Sequence, residues 1–377
     1  MRSARNVAPS ARRNGRGGRS RRQGNGCETW RARYCMNVQY IWDRQQYHGV
    51  ISKNRGGAMC YSAQIEADYR KYVKEFGADV SLREFAQLYF ERSQKKKVRI
   101  PKAVDAAFAD PKNEIEREIK ALIDQFNQEQ TAALEQELFK QRARLADTER
   151  TLQTKTTKVA TESRRIATDK IDAARRRLDD IRRVELKDRD SRIFPGGYAP
   201  VMVIEDGHRV IKPMRYQCRP AGKPAFYDTK YPGTYNARRD NLEGFWKQLF
   251  GYSHGVMIVS AFYENVSRAK MEGRVLKEGE EDESVVLEFR PRAGGEMLVA
   301  CLWSRWTGSG EPDLLSFAAI TDEPPPEVAA AGHDRCIVPI KPENIDAWLS
   351  PDPANLAALH AILDDRYRPY YEHRLAA

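Results

Sequence analysis

Residues 255–264 read Gly-Val-Met-Ile-Val-Ser-Ala-Phe-Tyr-Glu, and the reading of this run decides the fold. Gly255–Phe262 is a short, almost unbroken apolar stretch containing β-branched residues, so it is expected to be a buried strand. Pro200–Ile204, Val285–Phe289, Met297–Trp303 and Leu314–Thr321 have the same texture and are expected to be its companions. Leu242–Phe250, Asn344–Leu349 and Pro353–Asp364 read as helices between and after them. From Phe194 onward, short apolar runs broken by Gly and Pro therefore spell an α+β domain with a mainly antiparallel, barrel-like sheet and flanking helices. A strand at Tyr61 is expected to join that sheet from far upstream.

The intervening chain has a different grammar. Leu82, Phe85, Leu88 and Tyr89 recur at helical spacing within Ser81–Ser93, and Ser81-Leu82-Arg83-Glu84 has the form of a capping box. No glycine occurs between Gly77 and Gly196, and no proline between Pro111 and Pro195. Asn113–Asp190 is dominated by Ala, Glu, Gln, Lys, Arg and Leu, the composition of long helices. Leu138, Leu145, Leu152, Val159 and Ile166 repeat every seven residues. Their companion seam is mostly polar (Arg142, Glu149, Thr156, Ser163), so an ideal dimeric coiled coil is not specified. One unbroken helix would run about 110–120 Å at 1.5 Å per residue. If both flanks belong to one domain the chain must return, and Thr148–Thr161 is the expected reversal. The expected layout is a catalytic domain of residues 60–100 and 191–377, interrupted at 101–190 by an antiparallel helical hairpin. A separate oligomerisation rod is the alternative, and a protein partner of the arm is left unnamed.

Charge separates the leader from the body. The chain carries 64 Lys+Arg against 53 Asp+Glu, a net charge of +11. Residues 1–58 alone hold 13 Lys+Arg and 2 Asp+Glu, so the remainder is neutral overall. Any nucleic-acid contact by the body must then come from local patches. Residues 1–26 are Arg, Gly, Ser and Asn with almost nothing to bury, a disordered composition. The leader reads as a nucleic-acid-binding arm, a transit peptide, or an upstream segment absent from the mature protein, with Met59 as the true start. The last is expected, for a chemical reason given below. The six cysteines form no CxxC pair, and His333 with Cys336 is a lone HxxC, so neither a metal site nor a cofactor is expected. With no disulfide framework and no run of roughly 18 apolar residues, the chain is expected in the bacterial cytoplasm, associated with the nucleoid, and not in a membrane.

Four segments carry chemistry. They are Met59-Cys60-Tyr61-Ser62, Asn236-Ala237-Arg238-Arg239-Asp240, Ser260-Ala261-Phe262-Tyr263-Glu264, and Ser316–Thr321 followed by His333-Asp334-Arg335. In this order and spacing they resemble the SRAP family, the SOS response-associated peptidases or abasic-site processing proteins. The resemblance covers about Cys60–Gly77 and Phe194–Leu349. Tyr61-Ser62 stands where the family usually has Gly-Arg, and Asp240 where it has Glu. The tryptophans that usually precede Asn-Ala-Arg have no counterpart between Met214 and Tyr231, so no DNA-stacking residue is assigned.

The resemblance implies an initiator methionine removed to expose Cys60, a catalytic Glu264, acid–base work by His333, and Asn236 bonding the substrate or linked product. It implies phosphate contacts by Arg238 and Arg335, suited to sequence-blind single-strand binding. The cysteine's chemistry supports the first point. A free α-amine has a reference pKa of about 7.7–8.0, against about 10.4 for lysine, so much more of it is neutral near pH 7. Such an amine attacks the C1′ aldehyde of a ring-opened abasic sugar to give a Schiff base. The thiol on the adjacent carbon then closes a thiazolidine. With residues 1–58 attached, Cys60 offers only an amide nitrogen, which forbids that product. The expected function is therefore covalent capture of abasic sites in single-stranded DNA during the DNA damage response, with a hydrolase or peptidase label arising from exposure of the cysteine. The alternatives are a thiol peptidase using a Cys60 thiolate with His333 as base, and a non-catalytic coiled-coil scaffold. His48, His208, His254, His360 and His373 are taken as structural.

Overall fold

The computed structural model describes residues 62–94 and 96–376. The basic leader, Met59, Cys60, Tyr61 and His48 lie outside the described residues. Thirteen strands among the described residues join one sheet. They are β1 (Ser62–Ile65), β2 (Asp79–Val80), β3 (Arg192–Ile193), β4 (Tyr198–Glu205), β5 (His208–Tyr216), β6 (Asn236–Arg238), β7 (His254–Ser267), β8 (Ser284–Pro291), β9 (Met297–Gly308), β10 (Glu311–Asp322), β11 (Cys336–Ile337), β12 (Pro339–Ile340) and β13 (Tyr371–Leu375). The helices are α1 (Tyr69–Phe76), α2 (Leu82–Ser93), α3 (Lys102–Ala106), α4 (Glu114–Thr154), α5 (Lys158–Arg182), α6 (Tyr227–Lys230), α7 (Arg268–Met271), α8 (Pro326–Ala330), α9 (Ile345–Leu349) and α10 (Leu356–Asp364).

Five strands close on themselves in the order β9–β10–β5–β4–β7 and back to β9, making the barrel. Only the β10–β5 pairing in this ring is parallel. The closing seam is narrow: β4 meets β7 through the single pair Met202–Val256. Gly255 makes that approach possible, because a Cβ there would lie 2.9 Å from Val201 Cγ1 and 3.3 Å from the Met202 carbonyl oxygen. Both faces of this ring of strands are covered: Val201 and Phe317 on one face and Met202, Ile258 and Leu302 on the other are all essentially inaccessible to solvent. On the flank, Phe262 stacks on Phe289 at 5.0 Å and meets the edge of Tyr371 at 5.1 Å. This arrangement is the expected α+β, barrel-like domain, and β1 joins it antiparallel to β7.

Each of the five expected strands lies within a longer observed one, whereas β5 escaped the sequence reading. Its run His-Arg-Val-Ile-Lys-Pro-Met-Arg-Tyr is interrupted by Lys212 and Pro213, which hide the apolar pattern. Lys212 is nonetheless 1% exposed, donating to Glu205 Oε1 at 2.7 Å and Glu84 Oε1 at 3.1 Å. A buried ammonium is tolerable only with such partners. The expected capping box is thereby corrected. Helix α2 does begin at Leu82, but Ser81 makes no side-chain cap bond, and Glu84 is turned toward Lys212. The expected helix Leu242–Phe250 is also corrected to a succession of turns. Asn241 Oδ1 accepts from Phe245 N at 3.0 Å, and the amides of Leu249 and Phe250 both reach the Trp246 carbonyl. Its apolar residues Leu242, Trp246, Leu249 and Phe250 are buried, so burial without a continuous ladder produced the helical pattern.

The long helical stretch is a hairpin of α4 and α5, reversing at residues 155–157 within the expected threonine-rich segment. Asn113 caps α4 and Thr157 caps α5, each accepting a backbone N–H from three residues on. The base of α4 belongs to the body's core: Ile119 and Ile123 are buried in it, and the Arg92 guanidinium lies 4.4 Å from the Phe126 ring centroid. Farther out, the helices hold each other through Arg144 Nε to Ser163 Oγ at 2.9 Å and Thr148 Oγ1 to Ser163 Oγ at 3.3 Å. The seven-residue repeat does not survive the reversal. Val159 is 81% exposed, and the buried seam of α5 is instead Ala160, Ala167, Ile171, Ala174 and Leu178. A heptad counted across a turn mixes two helix faces.

Candidate active site

Two of the residues picked from sequence meet. Glu264 lies on β7 and His333 in the turn between α8 and β11, 69 positions apart in the chain. His333 Nε2 is 3.1 Å from Glu264 Oε2, and both side chains are fully buried. Gly332, with φ of 97°, makes the turn that presents the histidine, a backbone region that favours glycine. The outer side of this turn borders an open depression of about 520 Å3 lined by Lys270, Glu323, Pro324, Ala329, Gly332, His333 and Asp334.

The other ring nitrogen is tied to the backbone of Arg335. His333 Nδ1 is 2.8 Å from the Arg335 carbonyl oxygen and 3.3 Å from the Arg335 amide nitrogen, contacts that hold the ring in place. Nε2 faces a carboxyl oxygen at 3.1 Å. The two ionisable groups stand at ion-pair distance, each shielded from solvent. Burial pushes His333 below the ordinary histidine range, opposed in part by the Arg335 carbonyl and by Asp334. The pair is thus buried at the edge of a surface depression. Its geometry suits general acid–base work.

Glu264 does not stand at a solvated strand end. Glu264 pairs across β8 with Leu287 and shares its face of the strand with Phe262 and Val266. On the other side of β7, Ser62 pairs with Tyr263, so the first described residue lies beside the neighbour of Glu264. Arg192 converges there as well. Its Nε donates to Ser62 Oγ at 2.9 Å and its guanidinium lies 3.7 Å from the Tyr263 ring centroid. Sequence reasoning missed Arg192, since only the β1–β3 pairing brings residues 130 positions apart together.

The Asn-Ala-Arg motif is placed by β10. Strands β5 and β6 lie in succession along one edge of it, with Tyr216 opposite Phe317 and Asn236 opposite Ala319. Between them the chain leaves the sheet at Gln217, whose φ of 132° is rare for a residue with a side chain. Asn236 is buried, with the Tyr216 hydroxyl 3.5 Å from its Oδ1. Arg238 is half exposed and paired with Asp240. Thr321 is flanked by Arg238 on one side and Ile337 on the other, which sets β6 and β11 about 10 Å apart across β10. His333 and Arg335 approach from the β11 side. Arg335 is largely buried, its Nε 3.8 Å from Asp334.

The excursion from Gln217 to Tyr235 also assembles a group that sequence reasoning left unassigned. Tyr227 and Tyr231 have ring centroids 4.3 Å apart, and Phe245 lies nearly parallel to Tyr227 at 6.4 Å. Lys223 and Lys230 stand over Tyr227 and Tyr231, while Phe226, Tyr231 and Phe245 are exposed. Phe245 comes from beyond the Asn-Ala-Arg motif, so no single stretch of sequence carries the signal.

Among the described residues the three cysteines are buried, and His254 is held within the fold. Burial pushes the Cys218 thiol up to about 12 and raises Cys301 and Cys336 further, which removes them as nucleophiles. His254 is buried, accepting from Gly251 N at 2.9 Å and donating to the Trp348 carbonyl at 3.0 Å. Among the described residues no cluster of His, Cys, Asp and Glu could hold a metal ion, and no helix is long and apolar enough to cross a membrane.

No curated protein matches the chain. Three crystal structures resemble parts of it. A protein from Bordetella bronchiseptica is 15% identical with a TM-score of 0.39, covering 50% of this chain and 87% of its own. One from Bacteroides thetaiotaomicron is 12% identical at 0.38, covering 49% and 77%. A phage-related protein from Bordetella bronchiseptica is 19% identical at 0.37, covering 49% and 80%. One family profile matches residues 142–375, which spans the Asn-Ala-Arg motif, Glu264 and His333 and lies downstream of Cys60. With more than half of its length in that match, the chain belongs to the SOS response associated peptidase (SRAP) family.

Proposed function

We propose that the mature chain begins at Cys60 and captures abasic sites in single-stranded DNA as a covalent thiazolidine. The observation that supports this most is the buried Glu264–His333 pair on and near β7, whose neighbour β1 begins two residues after Cys60. Cys60 precedes Ser62 by two residues, which limits their Cα separation to about 7 Å. Ser62 in turn pairs with the neighbour of Glu264.

The chemistry balances without a cofactor. The α-amine adds to the C1′ aldehyde, the carbinolamine loses water to a Schiff base, and the Cys60 thiol adds across the C=N bond, its proton passing to nitrogen. Glu264 takes and returns protons at the nitrogen, while His333 serves the sugar oxygen during ring opening. Asn236 hydrogen-bonds the bound sugar, and Arg238 and Arg335 hold flanking phosphates. The exposed aromatics Tyr231 and Phe245, with Lys223 and Lys230, suit base stacking combined with backbone attraction, which single-strand binding uses. The division into a catalytic body of residues 60–100 and 191–377 and an inserted arm follows from the same reading.

The test is expression from Met59, intact mass to confirm removal of the methionine, and incubation with a single strand bearing one abasic site. The expected product has the mass of protein plus oligonucleotide minus one water and survives heat and denaturant. A folded, correctly processed chain that yields no such adduct overturns the proposal. If instead Cys60 acts as a peptidase thiolate, Cys60→Ser abolishes peptide cleavage, whereas in the proposed chemistry that variant still forms a Schiff base trapped by borohydride.

A further inference from the structure

The helical arm divides by charge along its length. The body-proximal half, Glu114–Glu137 together with Ile171–Arg182, holds 6 Lys+Arg and 10 Asp+Glu, whereas residues 138–170 hold 9 Lys+Arg and 4 Asp+Glu. The acidic half includes the part that packs on the body at Ile119, Ile123 and Phe126. The basic half surrounds the reversal, which lies roughly 40 Å beyond Phe126 at 1.5 Å per residue. Part of that basic charge is neutralised locally, by Arg150 with Asp147, Arg165 with Glu162 and Asp169, and Lys170 with Glu137. Lys140, Arg142, Lys155, Lys158 and Arg164 are exposed, and none has a carboxylate within 4 Å among the described residues.

These five charges do not share one face. Lys140 and Arg142 are about 200° apart around α4, since each residue turns 100°. A folded acidic protein would need a matching patch on one side. A flexible polyanion meets a positive sleeve from any direction, and single-stranded nucleic acid is such a polyanion.

We propose that the distal half of the arm is a second, non-covalent DNA site that holds the phosphate backbone of the single strand leading away from the abasic position. The inference rests on the function proposed above, and its test is arranged so that the two fail separately. At about 3.4 Å per nucleotide the arm corresponds to roughly a dozen nucleotides, so its contribution exists only for strands longer than the body can cover.

The experiment measures binding of undamaged single strands of about ten and about forty nucleotides by the full chain across a salt series. Each lost phosphate contact lowers the slope of log affinity against log salt by about 0.7 for single strands. Replacing Lys140, Arg142, Lys155, Lys158 and Arg164 together by Gln is expected to reduce the slope for the long strand by up to about 3.5 and leave the short strand unchanged. Lys140→Arg, Lys155→Arg and Lys158→Arg combined keeps the charge and is expected to retain the original slope, which separates charge loss from damage to the hairpin. An unchanged long-strand slope in the Gln variant overturns the proposal. So does a variant whose sedimentation mass changes while its DNA binding does not, since the arm would then join copies of the chain. Adduct formation on a ten-nucleotide abasic strand reports on the catalytic reading alone.

Discussion

Glu264 and His333 each look ordinary along the chain, one after an apolar strand and one near a loop glycine. Their pairing at 3.1 Å under full burial makes them a chemical unit. Replacing either member leaves the other buried without its contact, so the effects on rate should not add. Glu264→Gln or His333→Asn is expected to slow adduct formation by about 100- to 10,000-fold, the usual range for a positioned acid or base. The double variant should be no slower than the worse single one. Single-turnover cross-linking on denaturing gels measures this, and two wild-type rates would disprove the assignment. Because burial lowers the affinity of His333 for a proton, the acid limb it contributes lies below the ordinary value of about 6.5, and should vanish in His333→Asn. Resemblance of motifs made these two residues legible in the sequence. Arg192 and the Tyr227, Tyr231 and Phe245 group were not, because their neighbours come from distant segments.

Among the elements, β7 decides most. Its apolar run announces a buried strand, and the structure shows it bonded to β1, β4, β8 and β9 along its length. Gly255, which opens that run, is where the barrel closes. A methyl group added there meets Val201 and the Met202 carbonyl with little freedom to move, since both sit in the core. Gly255→Ala is therefore expected to destabilise the fold by about 1–3 kcal/mol, the range for overpacking a tight interior. Urea unfolding followed by tryptophan fluorescence would show it, and an unshifted midpoint would mean that the seam is looser than its distances imply. The hairpin was legible as helix from composition and as a reversal from the threonine-rich segment. Which faces meet was not, because the repeat ran through the turn and counted Val159 as seam. Strand β5 was hidden for the opposite reason: its buried ammonium is satisfied only by carboxylates on α2 and β4.

At the scale of the whole molecule, two of the described histidines are buried with their proton affinities depressed. His254 is pushed down to about 3 by burial, and His333 is lowered as well. In the unfolded chain both take up a proton near pH 6.5. Between that value and their folded values the unfolded state binds more protons, so stability is complete above pH 6.5 and drains as the pH falls. Each such group removes about 1.4 kcal/mol per pH unit within the window. The expected outcome is an unfolding free energy that declines between pH 6.5 and 4, with a shallower decline in His254→Gln. Denaturant titrations at fixed pH measure it, and a flat profile for the native chain would contradict the burial of neutral imidazoles.

The amino-acid sequence by itself determined the α+β class, most of the long strands, the interrupting hairpin, and the candidate pair Glu264 and His333, because these are written in local composition and in motif order. Only the tertiary structure decided which strands close the barrel, that Lys212 is buried, that Leu242–Phe250 is a run of turns, and that a glutamate and a histidine meet under full burial. Each of these depends on contacts between segments far apart in the chain, where burial and partner geometry outweigh local propensity.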